Sequence, residues 1–318
     1  MSPSPAATAL IGLDWGTSSL RAFRFDAQGK VGERRHAPHG ITQLPAAGPA
    51  GFEQALAAIA GDWLEAAPAA PLLACGMVGS AQGWREARYV AVPADPVRVA
   101  AELAEVSLGG GGRRLLIVPG LMEAGDLPNV MRGEETQIAG ALALRAVGPD
   151  GLIGLPGSHS KWARIERGGV AAFDTYMTGE IYAALSQHTL LARTLRRSDD
   201  FDAAAFERGL ETAQSEAGRR GPLSTVFSVR TLGLTGVLTA EAQADYLSGL
   251  LIGHEVGSVC RTLGAQARGQ SWSLIGDEPL CRRYRLALAH AGVADVRWIA
   301  EATEAGLWAM ARAAGLVA

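Results

Sequence analysis

A single chain that writes the same glycine turn twice has few folds open to it. Leu10 to Phe23 reads LIGLDWGTSSLRAF, and Leu152 to Trp162 reads LIGLPGSHSKW. Each copy is an apolar run, then glycine with a cluster of hydroxyls, then an apolar–polar alternation, which is the pattern of strand, tight turn and strand. Each is followed by a further strand, GKVGERR in the first half and GGVAAFDTYMTGE in the second. The matched succession of elements is a stronger sign of an internal repeat than the four shared letters.

The rest of the chain fits an α/β class. GFEQALAAIAGDWLEAA carries Phe52, Leu56, Ile59 and Trp63 on one helical face. PLLACGMVGS and RLLIVPGLM read as short buried strands between helices, which implies parallel crossovers. RVAAELAEV is expected to be a short helix. The four-glycine run in SLGGGGRR has no expected strand before it and no helix after it, so it reads as a flexible hairpin or linker and not as a phosphate loop. RGEETQIAGALAL is a helix with Glu134 and Glu135 in its first turn. After the second meander the chain is mostly helical, except for SWSLIGDEPL and DVRWIAE, which read as strands.

At 318 residues the chain suits two domains of roughly 150 residues. The expected division is 1–140 and 141–318, with the last helix free to pack back on the first domain. A net charge of −3 gives no broad attraction to nucleic acid or anionic lipid. No stretch reaches the roughly 18 apolar residues of a membrane span. The opening MSPSPAATAL lacks a basic start and a long apolar run, and reads as a short disordered lead. Cys75, Cys260 and Cys281 show no CxxC spacing, which points to reduced thiols and a cytoplasmic location.

A glycine and hydroxyl turn between strands offers the N–H and O–H donors that wrap phosphate oxygens. In the first turn these are Gly16, Thr17, Ser18 and Ser19. Asp14 beside them would repel phosphate unless a cation lay between, so it reads either as a Mg²⁺ ligand or as a turn-capping carboxylate. The second turn offers Gly157, Ser158, His159, Ser160 and Lys161, with no acid. Lys occurs only at Lys30 and Lys161, against 27 arginines. A compact ammonium at Lys161 therefore reads as selected for this place, or as one lysine of two falling there by chance. His159 is equally a phosphate donor or a packed turn residue. Two domains, each giving one turn, would clamp the β- and γ-phosphates of a nucleotide from both sides.

These residues resemble a known superfamily. LDWGTSSLRAF looks like the first phosphate motif of the sugar kinase, actin and Hsp70-type ATPases, and LPGSHSKW stands where that fold has its second. More narrowly, GMVGSAQGWREARYVAVPA, NVMRGEETQIAGAL, LPGSHSKWARI and FDTYMTGEIYAAL together resemble the 2-dehydro-3-deoxygalactonokinases, over about residues 10 to 290. The resemblance implies two similar ribonuclease-H-like domains with an interdomain cleft. It also implies MgATP-dependent phosphorylation of 2-keto-3-deoxygalactonate at O6. In glycerol-kinase-like members a Gly-Asp opens a helix ahead of the second phosphate turn, and that Asp is the general base. Gly133-Glu134 stands a similar distance ahead of Gly157, so the resemblance puts Glu134 in the base position. Glu in place of Asp, followed by Glu135, leaves open which of the two reaches the substrate, and both also stabilise a helix N-terminus. For adenosine the resemblance points to Gly276 and Asp277 in LIGDEPL.

The sugar acid needs hydroxyl partners and a cation. Ser80, Gln82 and Trp84 follow a strand end, where α/β sheets collect ligands. Gln82 could bond hydroxyls, and Trp84 either stacks on the sugar or is a core aromatic. Arg132 could hold the carboxylate, and Thr178, Gly179 and Glu180 border the same cleft. The expected partner is a small sugar acid, with no nucleic acid and no membrane; a homodimer stays open. Another sugar or sugar-acid kinase of this fold, or a non-catalytic actin-like nucleotide switch, stand as alternatives. A sugar-sensing regulator ranks last, since no DNA-reading segment is visible.

Overall fold

The computed structural model describes residues 7–109, 112–264 and 270–318. Most of the expected N-terminal lead, and Gly110 and Gly111 of the four-glycine run, lie outside the described residues. The chain forms two compact units. One comprises the residues up to Asp150 together with Arg164–Phe173 and Ile299–Ala318, the other Gly151–Ala163 and Asp174–Trp298.

The first unit opens with the expected meander, β1 (Leu10–Trp15), β2 (Leu20–Phe25) and β3 (Val31–Ala37). β1 pairs antiparallel with β2, from Leu10 opposite Phe25 to Trp15 opposite Leu20. Five of the six residues of β1 are buried, as a central strand requires. Helix α1 (Pro49–Ala66) starts on Pro49, whose fixed φ suits the first helical position, and buries Phe52, Leu56, Ile59 and Trp63. β4 (Leu72–Cys75) then returns parallel to β1, with Asp14 opposite Cys75.

Next come β5 (Val90–Ala91), α2 (Pro96–Ala100), β6 (Ala104–Leu108) and β7 (Arg113–Ile117). β6 corrects the sequence reading. The helix expected through RVAAELAEV stops at Ala100, and Ala104–Leu108 pairs antiparallel with β7 as a hairpin. The alternating burial of Ala104, Val106 and Leu108 is the period of a strand, and cross-strand pairing at a sheet edge outweighs the helix propensity of Ala and Glu. The glycine run therefore has a strand on each side. β8 (Leu121–Glu123), β9 (Asn129–Met131) and α3 (Glu134–Ala143) follow. The six-stranded sheet runs β3-β2-β1-β4-β7-β6, and β5-β8-β9 form a small sheet. The C-terminal helix, Ala302–Ala313, joins this unit: Gln137 Nε2 donates to Thr303 Oγ1 at 3.2 Å, and Arg34 pairs with Glu301 and Glu304.

The second meander is β10 (Gly151–Leu155), β11 (Ser160–Glu166) and β12 (Gly169–Tyr176). Helices α4 (Thr178–His188), α5 (Ala203–Gln214), α6 (Pro222–Thr225), α7 (Ser228–Leu234) and α8 (Ala242–Leu263) precede β13 (Trp272–Ile275). α9 (Glu278–His290) and β14 (Val296–Ile299) complete the set. This sheet runs β12-β11-β10-β13-β14, with β13 parallel to β10. Its order repeats β3-β2-β1-β4-β7 strand for strand, so the duplication read in the sequence extends to topology.

Candidate active site

In the first unit the turn Gly16–Ser19 leaves β1 with Thr17 and Ser18 exposed. Gly16 N donates to Ser19 O at 2.9 Å, which closes the turn. Its outer carbonyls are held from behind: Ile41 N donates to Gly16 O, and both Thr42 N and Thr42 Oγ1 donate to Thr17 O. Gly40 makes this backing possible. A Cβ there would lie 2.3 Å from Thr17 O and 2.4 Å from Ser18 N. Asp14, at the end of β1, pairs with Arg21 through Oδ2, and its side chain is 18% exposed. No group of three or more His, Cys, Asp and Glu able to hold a metal occurs among the described residues. One carboxylate still fits Mg²⁺, which keeps most of its waters and takes the rest of its ligands from phosphate.

The carboxylate pair sits at the start of α3. Gly133, at φ 111°, turns the chain into the helix. Glu134 is half-buried, and its Oε2 accepts from Arg132 N at 3.0 Å. Glu135 is 2% exposed. Its Oε2 accepts from Gly133 N at 2.7 Å and its Oε1 from Thr136 Oγ1 at 2.9 Å. Burial, with the charge of Glu134 beside it, pushes the Glu135 carboxyl up to about 8. The two neighbours thus differ in circumstance: Glu134 is half-buried, while Glu135 is sealed in the fold with its carboxyl raised toward the neutral form.

Arg132 lies close by. Its Nη2 donates to Ala87 O at 2.8 Å and its guanidinium stacks 4.3 Å from the Tyr89 ring centroid. Its Nε and Nη1, and the Oγ of Ser80, are buried without a partner among the described residues. Gln82 and Trp84 line an open cavity of about 580 Å³ with Thr42, Gly48 and Phe52. Trp84 stacks on Phe52 at 5.4 Å and makes a T-shaped contact with Trp15 at 5.9 Å, so it packs against the core and also lines the cavity.

In the second unit Ser158 and His159 are exposed, while Ser160 and Lys161 are buried at the start of β11. Ser160 Oγ bonds Tyr284 OH at 2.9 Å. Thr178, Gly179 and Glu180 open α4 directly against this turn: Glu180 N donates to Ser158 O at 3.0 Å, and the Glu180 carboxylate pairs with His159. Gly179 plays the part that Gly40 plays in the first unit. A Cβ on it would lie 2.4 Å from Gly157 O and 2.8 Å from Ser158 Cα.

A cavity of about 350 Å³ adjoins the turn, lined by Gly157, Ser158, Thr178, Tyr182, Arg283 and Tyr284 among others. The remaining lining residues are mostly aliphatic, the usual make-up of a small-molecule pocket. Gly276 and Asp277 do not line it. They stand beside Pro156 and open α9, whose Leu280, Arg283 and Tyr284 do. Tyr182, Ser248, Leu251, Ile252 and Arg283 were not singled out from sequence, because apolar spacing on a helix reads as core.

Comparison with known proteins settles the class. The chain shares its fold with the activator of 2-hydroxyisocaproyl-CoA dehydratase from Clostridium difficile, at TM-score 0.50 and 11% identity over 96% of this chain and 95% of that one. It is 36% identical to the 2-dehydro-3-deoxygalactonokinase of Escherichia coli (strain K12), over 95% of this chain and 97% of that protein. The crystal structure of a candidate 2-dehydro-3-deoxygalactonokinase from Sinorhizobium meliloti superposes with TM-score 0.84 at 34% identity, covering 96% of this chain and 98% of that one. The chain is a carbohydrate kinase with a mixed α/β fold. It belongs to the 2-keto-3-deoxy-galactonokinase family, whose model matches residues 14–310.

Proposed function

We propose that the chain transfers the γ-phosphoryl group of ATP to O6 of 2-dehydro-3-deoxy-D-galactonate, a step of galactonate catabolism. The family match over residues 14–310 carries this reading. The two sheets of equal strand order, each opening on a hydroxyl-bearing turn, support phosphate-binding donors in each unit. Gly16–Ser19 and Gly157–Ser158 would supply those donors, with His159 set by Glu180 at the edge of the second turn. Asp14 would hold Mg²⁺, which neutralises charge on the phosphates. The adenosine would enter the cavity between α4, α8 and α9, with Gly276 and Asp277 setting the start of its α9 wall.

Glu134 is the proposed base. It orients the O6 hydroxyl and takes its proton as the bond to phosphorus forms, which is the main chemical task left to the protein in phosphoryl transfer. Glu135, sealed and accepting from Gly133 N and Thr136 Oγ1, fixes the turn that presents Glu134. The unpaired N–H groups of Arg132 with the Ser80 hydroxyl form a donor set suited to the sugar-acid carboxylate. Gln82 and Trp84 line a cavity large enough for a six-carbon sugar acid.

The test is an ADP-coupled assay with MgATP against a panel of sugar acids and neutral sugars. Turnover confined to 2-keto-3-deoxygalactonate is expected. Turnover on a different sugar acid would overturn the substrate, and ATP binding without turnover on any of them would overturn the kinase reading.

A further inference from the structure

Beneath the second turn lies a buried carboxyl that no phosphate or sugar contact explains. Glu255, on α8, is 2% exposed and sits one turn after Ile252 of the cavity wall. Its Oε1 accepts from Trp162 Nε1 at 2.7 Å and its Oε2 from Tyr284 OH at 2.7 Å. Tyr284 OH also bonds Ser160 Oγ at 2.9 Å, and the Ser160 hydroxyl itself hydrogen-bonds the Glu255 carboxyl. The Thr178 hydroxyl, at the start of α4, also hydrogen-bonds this carboxyl. One side chain thus gathers β11, α4 and α9 onto α8, and two of its partners, Thr178 and Tyr284, line the cavity beside Gly157 and Ser158. Burying a carboxyl is costly, and a core needing only packing would be served as well by an apolar side chain.

We propose that Glu255 is a positioning residue for nucleotide: through Tyr284–Ser160 and through Thr178 it fixes the geometry of the Gly157–Ser158 turn and the adjoining cavity. This rests on the proposed placement of nucleotide in that cavity. Every donor that meets Glu255 points inward, so the site requires an acceptor at both oxygens. Glu255→Gln keeps the shape but turns an NH2 group toward a donor. Tyr284→Phe removes the Tyr284 bonds to Glu255 and Ser160, and leaves the direct Ser160–Glu255 bond, with little change of volume.

The experiment measures ADP binding by calorimetry, and KM for ATP and for the sugar acid separately, in the full-length protein with melting temperature as the check on folding. Each single variant is expected to raise the ADP Kd and the ATP KM by roughly tenfold, the scale of one lost hydrogen bond to a charged group, with the sugar-acid KM within about twofold. The double variant is expected to be no worse than Glu255→Gln, because both act through one chain of bonds. Unchanged ADP binding in a folded variant, equal rises in both KM values, or additive effects in the double variant would overturn the proposal. ADP binding needs no sugar, so a wrong sugar assignment leaves this test intact. A wild type that binds no ADP would instead overturn the nucleotide placement itself.

Discussion

Glu134 and Glu135 are adjacent in sequence and opposite in circumstance. For Glu134→Gln, kcat is expected to fall roughly 10²- to 10⁴-fold, the usual worth of a general base, while ADP binding by calorimetry stays unchanged. Glu135→Gln should act on stability and its pH dependence. The folded state lifts this carboxyl from 4.5 to about 8, so between those values the folded protein holds a proton that the unfolded chain has lost. The associated stability is fully present below about 4.5 and declines as pH rises through 8. Glu135→Gln removes the titrating group, so chemical denaturation should show it gaining on wild type from pH 5 to pH 9, by about a few kcal/mol at the upper end. A parallel pH dependence in the two proteins would show that Glu135 does not hold its proton. Sequence pattern was enough to single out this pair, because two acids on the first turn of a helix stand out. Their division of labour was not, since it depends on Gly133 and Thr136 folding back on one of them.

At the scale of elements, each phosphate turn depends on a glycine from another segment. Gly179→Ala would drive a methyl group to 2.4 Å from Gly157 O. Relief requires the turn to move, at about 1–3 kcal/mol by the usual cost of overpacking, so ADP binding should weaken by roughly five- to 150-fold. Gly40→Ala should do the same to the first turn, read as a rise in ATP KM. Wild-type values in either variant would show that the backing is dispensable. The turns themselves were legible because glycine and hydroxyls between apolar runs have one common reading. The elements behind them were not: Gly179 lay in a segment read as the end of a strand, and it opens α4. β6 was missed for a related reason, as its alternation covers only five residues rich in helix formers. The network around Glu255 did leave a trace, a lone acid inside the apolar run LLIGHEVGSV, but its partners come from three other elements that only the fold assembles.

For the whole molecule, stability and nucleotide binding are linked. ADP at 100 times its Kd should stabilise the protein by about 2.7 kcal/mol, visible as a raised melting temperature without any sugar acid present. No shift at saturating ADP would count against the cavity of the second unit as a nucleotide site. The two units are also not two consecutive stretches of chain. Leu307, Met310 and Ala311 of the C-terminal helix are buried within the first unit. A chain ending at Trp298 should therefore lose the cooperative unfolding of that unit and with it all turnover, measured by circular dichroism and the coupled assay. Full activity in that truncation would show the helix to be an accessory.

That arrangement has a consequence for synthesis. The first unit carries Asp14, Glu134 and Arg132, yet its last piece is made after the whole of the second. At ~5–20 residues per second, the nascent first unit waits roughly ten to thirty seconds for its closing helix. During that time the surfaces that helix will cover, around Gly12, Phe25 and Gly140, stay open to other chains. The second unit has all its segments before then. The second unit can therefore be completed before the first, and catalytic competence arrives only once Ile299–Ala318 has been made.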